Sequence, residues 1–350
     1  MREDRFAGDE RSGIIARVAA PTVGVMGAGS IGCYVGGKIA LSGAEVVLVG
    51  RERLAKEIAE HGLSVQDLDA APRRAQTIRY VTDPAALAAC DVVFVAVKSG
   101  QTEEVAKVLA PILREDAVVA SLQNGLGNAD RLRLHLGPRR VVPGIVEYNV
   151  VSRGEGRFHR TMDGPIVLEP EPRSNAAIRA GELDLVVYDD LVPHQWTKLC
   201  VNLNNAVSAL SDAPTRQILL SPGYRRCVAA LIDEGLAVAR ASGVRPAKLR
   251  GVPVGLMPKV LRLPTPIVRL VTGAQMKVDA DARSSMWEDL TRGRPTEVDW
   301  LNGEIVRRAE AAGIDAPINR RVVKRVHEAE RAGAGSPGLA ADALWTLLAH

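Results

Sequence analysis

A glycine-rich turn near the start of the chain constrains the fold more than any other feature. The turn Gly27-Ala-Gly29-Ser30-Ile31-Gly32 follows the apolar run TVGVM and precedes a stretch with helical character. In a strand–turn–helix unit, the first glycine permits a tight turn and the second lets a ligand approach the backbone. The third lets helix and strand pack closely, and the free N–H groups of the helix start bind phosphate. The sequence therefore predicts a unit that binds a dinucleotide through this turn.

Apolar runs alternate with helical stretches through the first half of the chain. The strand-like runs are TVGVMG (22–27), EVVLVG (45–50), DVVFVAV (91–97) and AVVASL (117–122). Further extended segments lie near residues 140–143, 164–168 and 183–187. This alternation predicts a doubly wound parallel sheet of the Rossmann type, and the Val- and Leu-rich runs suit strands buried on both faces.

The pattern changes near residue 190, after which almost every segment has a helical period. The predicted helices cover residues 194–211, 222–243, 266–292, 296–313, 317–332 and 338–349. The sequence thus predicts an α/β Rossmann domain over residues 21–190 and an all-helical domain over residues 191–350. Residues 1–20 are predicted to be a flexible extension.

The end of the second predicted strand indicates which dinucleotide binds. Sites for NAD usually place an acidic residue there to bind the ribose 2′-hydroxyl. Here Arg51 follows Gly50, and a guanidinium can pair with a 2′-phosphate. We therefore expect NADPH/NADP+ to be the cofactor, with Glu52 pointing outward.

Composition excludes several classes of protein. The formal charge of +4 is spread without a dense basic block, and aromatic residues make up only 3% of the chain, so a nucleic-acid partner is not expected. Because no apolar run is long enough to span a bilayer, no membrane partner is expected. The four cysteines have no spacing typical of a metal site, which predicts no metal and a cytoplasmic protein with reduced thiols.

The segment WTKLCVNLNNAVSALS (196–211) combines a helical period with few charges and three asparagines. At 100° per residue, Lys198, Asn202 and Asn205 fall on one stripe opposite the apolar face. Asparagine inside a helix costs roughly half a kcal/mol relative to alanine, so a stripe of amides needs an explanation. A polar cleft and an Asn-rich exposed face explain the segment about equally well.

Polar residues at two other places are candidates for the same cleft. Lys98 and Asn124 end the fourth and fifth predicted strands, at the edge where such sheets bind ligands. Glu297 lies near the start of a predicted helix. Each residue taken alone has a simpler interpretation. A lysine after a strand is more often solvated, Asn124 followed by Gly125 is typical of a turn, and a glutamate near a helix start complements the helix dipole.

Together these motifs resemble the ketopantoate reductase (2-dehydropantoate 2-reductase) family. The glycine turn with Arg51, the VAVK–QNG pair, W-x-K-L-x-x-N and S-S-M-x-x-D…G-R-x-T-E-x-D-x-x-N-G occur in the family's order from about residue 22 to residue 320. The resemblance implies NADPH-dependent reduction of 2-dehydropantoate to (R)-pantoate, on the route to pantothenate and coenzyme A. The implied partner is a small 2-oxo acid, and the chain is expected to be a monomer or a homodimer.

The resemblance also assigns roles to individual residues. It implies that Lys198 is the general acid and that Glu297 is the second catalytic residue, which also lies on the cofactor side. Asn124, Asn202 and Ser285 match substrate-binding positions, Asn124 also lies near the nicotinamide, and Lys98 is the cofactor-side lysine. An ammonium can stabilise the charge that develops on a reduced ketone oxygen and donate its proton there.

One position departs from this pattern. Ala206 stands where another asparagine is expected, four residues beyond Asn202, and Asn205 is the nearest substitute on the Lys198 stripe. This departure favours an alternative, a related reductase of another branched 2-oxo acid. A non-catalytic NADP(H)-binding sensor is a further alternative. The β-hydroxyacid dehydrogenases fit less well, because their lysine is paired with a glycine-rich helix start that KLCVNLNN lacks.

Overall fold

The computed structural model describes residues 21–137, 139–249, 251–272 and 282–350. The extension predicted for residues 1–20 lies outside the described residues. The strands are β1 (Val23–Met26), β2 (Val46–Val49), β3 (Leu63–Asp67), β4 (Arg73–Ala75), β5 (Ile78–Val81), β6 (Val92–Val95), β7 (Val118–Ser121), β8 (Arg140–Val142), β9 (Gly144–Val146), β10 (Val150–Ser152), β11 (Arg157–Arg160), β12 (Ile166–Leu168), β13 (Leu185–Val187), β14 (Lys248–Leu249) and β15 (Val252–Pro253).

The α-helices connect and follow these strands. They are α1 (Ser30–Ala40), α2 (Glu52–His61), α3 (Thr102–Leu109), α4 (Asn128–Leu136), α5 (Pro172–Ala180), α6 (Val192–Asn202), α7 (Asn204–Ser211), α8 (Thr215–Leu220), α9 (Pro222–Ala241), α10 (Met257–Leu261), α11 (Thr265–Thr272), α12 (Ser285–Thr291), α13 (Asn302–Ala311), α14 (Pro317–Ala332) and α15 (Ala341–Ala349).

A six-stranded parallel sheet forms the centre of the N-terminal domain, in the order β5-β2-β1-β6-β7-β8. In its register, Met26 of β1 aligns with Val49 of β2 and Val95 of β6. Because these strands are parallel, the segments that follow them emerge side by side at one edge of the sheet. The predicted Rossmann-type doubly wound sheet is thereby confirmed.

The sheet is buried on both faces by separate apolar clusters, as expected for parallel strands. Helix α1 packs closely on one face because it carries glycines: a Cβ at Gly36 would lie 2.5 Å from the Leu48 side chain. Two smaller sheets, β10-β11-β3-β4 and β13-β12-β9, complete the domain. Several of their strands have only three residues, which is too short for an alternating pattern to reveal them.

From α6 onward the chain is helical apart from the two-residue strands β14 and β15, so the predicted fold class is confirmed. The 20-residue helix α9 is central, and helices α6, α7, α8, α10, α13, α14 and α15 all pack against it. The C-terminal helix α15 buries Leu344 and Leu348 in this same core. The guanidinium of Arg226 on α9 lies 3.8 Å from the centre of the Trp345 ring on α15, a further contact between these two helices.

Three predicted helices are not continuous. The helix predicted over residues 296–313 is a 3-10 turn at residues 298–300 followed by α13 from Asn302. The helix predicted over residues 194–211 is interrupted only at Leu203, which separates α6 from α7 and keeps α-helical dihedral angles. Beside it, the Asn204 amide donates to the Val201 carbonyl, a bond that competes with the helical pattern. The helix predicted over residues 266–292 is wrong as one element. Helix α11 covers Thr265–Thr272, and residues 273–281 lie outside the described residues. Residues 282–284 are not helical, and α12 starts after Ser284, whose hydroxyl accepts a bond from the Trp287 N–H.

The four cysteines are all buried and none forms a disulfide. Within the described ranges, no helix has the length and apolar character that crossing a bilayer requires. Among the same residues, no group of three or more His, Cys, Asp or Glu side chains is placed to hold a metal ion.

Candidate active site

The glycine turn forms a cradle at the end of β1. Gly27 has a φ of +96°, and a Cβ there would lie 2.5 Å from the Val97 backbone nitrogen. A Cβ on Gly32 would lie 2.6 Å from the Gly27 carbonyl oxygen, whereas a Cβ on Gly29 would meet open space. The space beside Gly29, directly before α1, is therefore open. This geometry fits a pyrophosphate bound at Gly29, Ser30 and Ile31.

A tyrosine that the sequence did not single out supports this cradle from the neighbouring strand. The Tyr80 hydroxyl donates a 3.0 Å hydrogen bond to the Ala28 carbonyl oxygen. It occupies the space beside Gly50, where a Cβ would lie 2.1 Å from the tyrosine oxygen. Position 50 therefore has to be a glycine so that the Tyr80 hydroxyl can lie against the backbone. The bond of Tyr80 to Ala28 fixes the glycine turn against the end of β2.

Arg51 follows Gly50 and is exposed at the start of α2. Glu52, the acidic neighbour, is also exposed and lies 3.5 Å from the Lys56 ammonium, one turn along the helix. The position next to β2 that selects between dinucleotides therefore carries a guanidinium.

Lys98 reaches from the end of β6 into the helical domain. Its ammonium donates to the Pro295 carbonyl oxygen at 2.7 Å and forms an ion pair with the Asp289 carboxylate, also at 2.7 Å. Asp289 is buried, and burial raises the pKa of its carboxyl group despite the opposing effect of Lys98. Lys98 is thus a link between the two domains.

Glu297 forms a second link beside the first. One of its carboxylate oxygens accepts a 3.0 Å hydrogen bond from the Ser99 backbone N–H. Burial raises the pKa of the Glu297 carboxyl group, although the Ser99 bond, the Lys98 charge and a bond with the Asn124 side chain oppose the shift. The residue precedes a short 3-10 turn at residues 298–300 and does not lie in the first turn of an α-helix. The dipole-only interpretation of Glu297 is therefore wrong.

Asn124 joins the same group from the end of β7. Its side-chain oxygen accepts a bond from the Asn202 amide of α6, at 3.3 Å. Its backbone oxygen accepts bonds from the Ser99 hydroxyl at 2.7 Å and the buried Asn128 amide at 2.6 Å. These bonds fix the Asn124 backbone, so its side chain is held at the boundary between the domains.

Lys198 lies four residues before Asn202 on the unbroken part of α6, and its side chain is half-buried. Residues at this spacing share a helix face, so Lys198 and Asn202 line the same side of the boundary. Asn205 lies beyond the break, on α7, where its backbone oxygen accepts a bond from Ser284. Ser285 is exposed at the first position of α12, whereas Ser284 makes the hydrogen bonds of this segment to Asn205 and Trp287.

The structure thus joins Asn124, Asn202 and Glu297 through hydrogen bonds, and Lys98 is close enough for its charge to act on Glu297. Sequence reasoning missed Ser99 and Asp289, which hold Glu297 and Lys98. It also missed Trp300, whose ring lies 4.5 Å from the Arg131 guanidinium of the other domain. Asp289 lies inside the quoted motif S-S-M-x-x-D, and that motif was the available signal for it.

A dinucleotide cradle, with a lysine, a glutamate and two amides at the junction of two domains, defines a two-domain nicotinamide-dependent oxidoreductase. Comparisons with known proteins specify this class further. A family model described as ketopantoate reductase PanE/ApbA matches residues 23–173, and its C-terminal counterpart matches residues 190–330. The chain belongs to the ketopantoate reductase family and is an oxidoreductase that acts on CH–OH groups.

Individual relatives agree with this assignment. The 2-dehydropantoate 2-reductase of Archaeoglobus fulgidus is 32% identical over 88% of this chain and 97% of its own length. The enzyme of the same name from Halobacterium salinarum is 31% identical over 88% of this chain and 99% of its own. A solved PanE/ApbA family ketopantoate reductase from Ralstonia eutropha has a TM-score of 0.77 and 31% identity, with 89% and 99% of the two chains covered.

More distant structures share the fold. D-mandelate dehydrogenase, solved with NADH and anilino(oxo)acetate, has a TM-score of 0.74 at 20% identity, covering 89% of this chain and 99% of its own. At that identity the likeness concerns the fold alone.

Proposed function

We propose that this enzyme reduces 2-dehydropantoate to (R)-pantoate with NADPH, a step on the route to pantothenate and coenzyme A. The observation that carries the proposal is the hydrogen bond between Asn124 and Asn202, with Glu297 beside it and Lys198 one turn away. This arrangement collects an ammonium, a carboxyl group and amides at the edge of the sheet where the glycine cradle opens.

The residues of the cradle fit the cofactor. Gly27, Gly29, Ser30, Ile31 and Gly32 would hold the pyrophosphate, and Arg51 would pair with the 2′-phosphate. Lys98 and Glu297 lie toward the nicotinamide side, next to Asn124. When bound, the reduced nicotinamide supplies the hydride that a ketone carbon accepts.

Lys198 is the proposed general acid. As the ketone is reduced, negative charge develops on its oxygen, and an ammonium at that position stabilises the charge and donates a proton from Nζ. Lys198 suits this role because it is half-buried on a helix face that borders the boundary between the domains. Glu297 is the proposed second catalytic residue, which keeps the polar groups around this lysine in place through Ser99 and Asn124.

The proposed substrate ligands are Asn124, Asn202, Asn205 and Ser285. Amide and hydroxyl donors suit the carboxylate and the hydroxyl group of a branched 2-oxo acid, and the surrounding lysines supply the opposite charge. Ser285 is exposed and can reach a ligand, whereas Ser284 is committed to capping α12.

Oxidation of NADPH, followed by its absorbance with 2-dehydropantoate, pyruvate, 2-oxoisovalerate and 2-oxoisocaproate, tests the proposal. We expect 2-dehydropantoate to give the highest kcat/KM. The kcat/KM with NADPH should exceed that with NADH by at least about tenfold, because pairing of a guanidinium with the 2′-phosphate contributes that much to binding. A clear preference for NADH would contradict the cofactor assignment. D-mandelate with NAD+ is a useful further arm, because a dehydrogenase of that substrate shares the fold.

A second candidate is a reductase of another branched 2-oxo acid. Ala206 is fully buried in the helical core, so this position offers no polar group to a substrate. On this alternative, 2-oxoisovalerate or 2-oxoisocaproate gives the highest kcat/KM. A non-catalytic sensor would instead bind NADPH and oxidise it with none of these acids.

The same proposal places the enzyme in the cytoplasm as a monomer or a homodimer. The four buried thiols suit a reducing compartment. A ketopantoate reductase from Staphylococcus aureus, described as dimeric, has the same fold, with a TM-score of 0.66 at 20% identity. Light scattering coupled to gel filtration separates the two oligomeric states.

A further inference from the structure

The loop that carries Glu297 is bonded both to the sheet edge and to helix α14. The Ser99 N–H at the sheet edge donates to the Glu297 carboxylate at 3.0 Å. The N–H of Thr296, the preceding residue, donates to a carboxylate oxygen of Glu330 on α14 at 2.7 Å. We call residues 296–299 the glutamate loop.

His327 of α14 binds a second point of the glutamate loop. Its Nδ1 lies 2.8 Å from a carboxylate oxygen of Glu330, and its Nε2 lies 2.9 Å from a carboxylate oxygen of Asp299. Glu330 uses its other oxygen for the Thr296 N–H. One imidazole thus connects α14 to the residues on both sides of Glu297.

Helix α14 is a firm support for these bonds. Its residues Val322, Val326 and Ala329 are buried in the core of the helical domain. Near its start, the Asn319 amide donates to the Glu234 carboxylate of α9 at 2.9 Å. A bond from the glutamate loop to α14 therefore fixes the loop relative to the whole helical core.

The two bonds of His327 depend on its protonation state. Both ring nitrogens face carboxylates, so both bonds form only when each nitrogen carries a hydrogen, whereas a neutral imidazole has one donor. Burial of the ring opposes protonation, but the hydrogen bonds to Glu330 and Asp299 outweigh it and raise the pKa of His327 above its ordinary value of 6.5. The double contact therefore persists to higher pH than an ordinary histidine would allow.

Other charged groups near the ring are either paired or exposed. The guanidinium of Arg307 on α13 donates to the Asp299 carbonyl oxygen at 2.8 Å, and the Glu304 carboxylate pairs with it at 2.7 Å. The cations about one turn to either side of His327 on α14 are exposed, and they are Lys324 and Arg331. The two carboxylates that His327 binds are therefore the charges that act on its protonation.

We propose that His327 is a positioning residue, which in its protonated form holds the glutamate loop so that Glu297 stays bonded to Ser99 and Asn124. The inference rests on the proposed catalytic role of Glu297 and adds the group that keeps it in place. When the ring loses its proton, one of its two bonds is lost and the glutamate loop is held less firmly. Activity therefore falls as pH rises through the His327 pKa, which lies above 6.5.

The pH dependence of kcat tests this inference with two variants. The assay follows NADPH oxidation with the 2-oxo acid that gives the highest kcat/KM, from pH 6 to pH 9. His327→Ala should lower kcat about tenfold at pH 6, because a displaced group near the reacting atoms is costly, and should lack the decline that the wild type shows at higher pH. His327→Lys keeps its charge through this range, so it should retain kcat within about threefold and also lack the decline.

His135→Ala is the matched control, because His135 is also half-buried beside a carboxylate, that of Glu103 at 3.6 Å, but lies on α4 in the other domain. It should keep both the wild-type kcat and the wild-type pH profile. A kcat of His327→Ala within about twofold of wild type at pH 6 would overturn the inference, as would an equal loss in the control.

Hydrogen exchange of the Ser99 amide tests the inference without turnover, because this N–H donates to Glu297. NMR at pH 6 on the protein without cofactor should show that the Ser99 amide of His327→Ala exchanges at least about threefold faster than that of wild type, since its partner is held less firmly. His327→Lys should exchange like wild type. Unchanged exchange in His327→Ala would overturn the inference, and melting temperatures show that both variants fold.

A double variant separates failure of this inference from failure of the proposed function. If His327 acts through Glu297, adding His327→Ala to Glu297→Gln should lower kcat by less than about twofold more, because coupled residues are not additive. A further tenfold loss would show that His327 acts elsewhere and would overturn the inference. If Glu297→Gln alone keeps the wild-type kcat, the proposed role of Glu297 fails, and the exchange of the Ser99 amide still decides whether His327 holds the loop.

Discussion

The amide of Asn202 donates a 3.3 Å hydrogen bond to the side-chain oxygen of Asn124, although the two residues belong to different domains. The bond joins the helix that carries Lys198 to the sheet edge that carries the cofactor cradle. Since Asn124 is also fixed through its backbone by Ser99 and Asn128, Asn202 is held against a rigid partner. This pair is therefore one direct contact between α6 and the sheet edge.

Asn202→Ala should raise the KM for the 2-oxo acid about tenfold, because it removes one substrate-binding amide, worth roughly 1.5 kcal/mol with a charged carboxylate. The dissociation constant of NADPH should stay within about twofold. Steady-state kinetics and fluorescence titration measure the two constants. Asn149→Ala is the control, because that asparagine is exposed in the N-terminal domain, apart from the residues of the candidate site. An unchanged KM in Asn202→Ala would remove Asn202 from the substrate site.

Lys198→Ala should lower kcat by about 10² to 10⁴, the usual contribution of a positioned proton donor. NADPH binding should persist, because the lysine acts on the ketone oxygen and not on the cofactor. Lys107→Ala provides a control for the loss of a lysine, since Lys107 forms an exposed pair with Glu103. A kcat within threefold of wild type would exclude Lys198 as the general acid.

Glu297→Gln should change the pH dependence of stability in a defined direction. Burial raises the pKa of Glu297 above its ordinary value of 4.5, so the folded state binds the proton more tightly than the unfolded state does. Stability is therefore lost as pH rises from 4.5 through the raised pKa, and this loss is absent in a glutamine variant that cannot ionise. The Gln side-chain oxygen can still accept the Ser99 bond.

Thermal melting from pH 4 to pH 8 measures this effect. The melting temperature of Glu297→Gln minus that of wild type should increase with pH and then level off above the folded-state pKa. A difference that does not vary with pH would show that the environment of Glu297 does not disfavour its charge.

Gly29→Ala and Gly32→Ala should separate cofactor binding from folding. A Cβ at position 29 meets open space, so the variant should melt within about 2 °C of wild type while NADPH affinity falls, because the methyl group occupies the pyrophosphate approach. A Cβ at position 32 lies 2.6 Å from the Gly27 oxygen, so this variant should lose about 1–3 kcal/mol of stability. Full NADPH affinity in Gly29→Ala would contradict the proposed cradle.

The parts of the fold that could be predicted are those encoded over short distances. Strands β1, β2, β6 and β7 are recognisable because they are apolar runs bounded by turn residues, and the glycine turn is recognisable because its spacing has one geometric use. The break at Leu203 was not predictable, because it depends on whether one asparagine amide bonds to the backbone or to solvent. The helix predicted over residues 266–292 failed for a related reason, since the capping bond of Ser284 outweighs a continuous helical period.

The sequence alone determined the order of an α/β domain and a helical domain, the glycine turn at Gly27–Gly32 and the list of polar residues without an obvious structural use. Only the tertiary structure decided which of them meet. Lys98 and Asp289 are separated by more than half of the chain, as are Ser99 and Glu297, and only packing of the helical domain on the sheet edge brings them together. The physical reason is one of range: propensity and periodicity act within a few residues, whereas the site is held by bonds between distant segments that form only when both domains pack against each other.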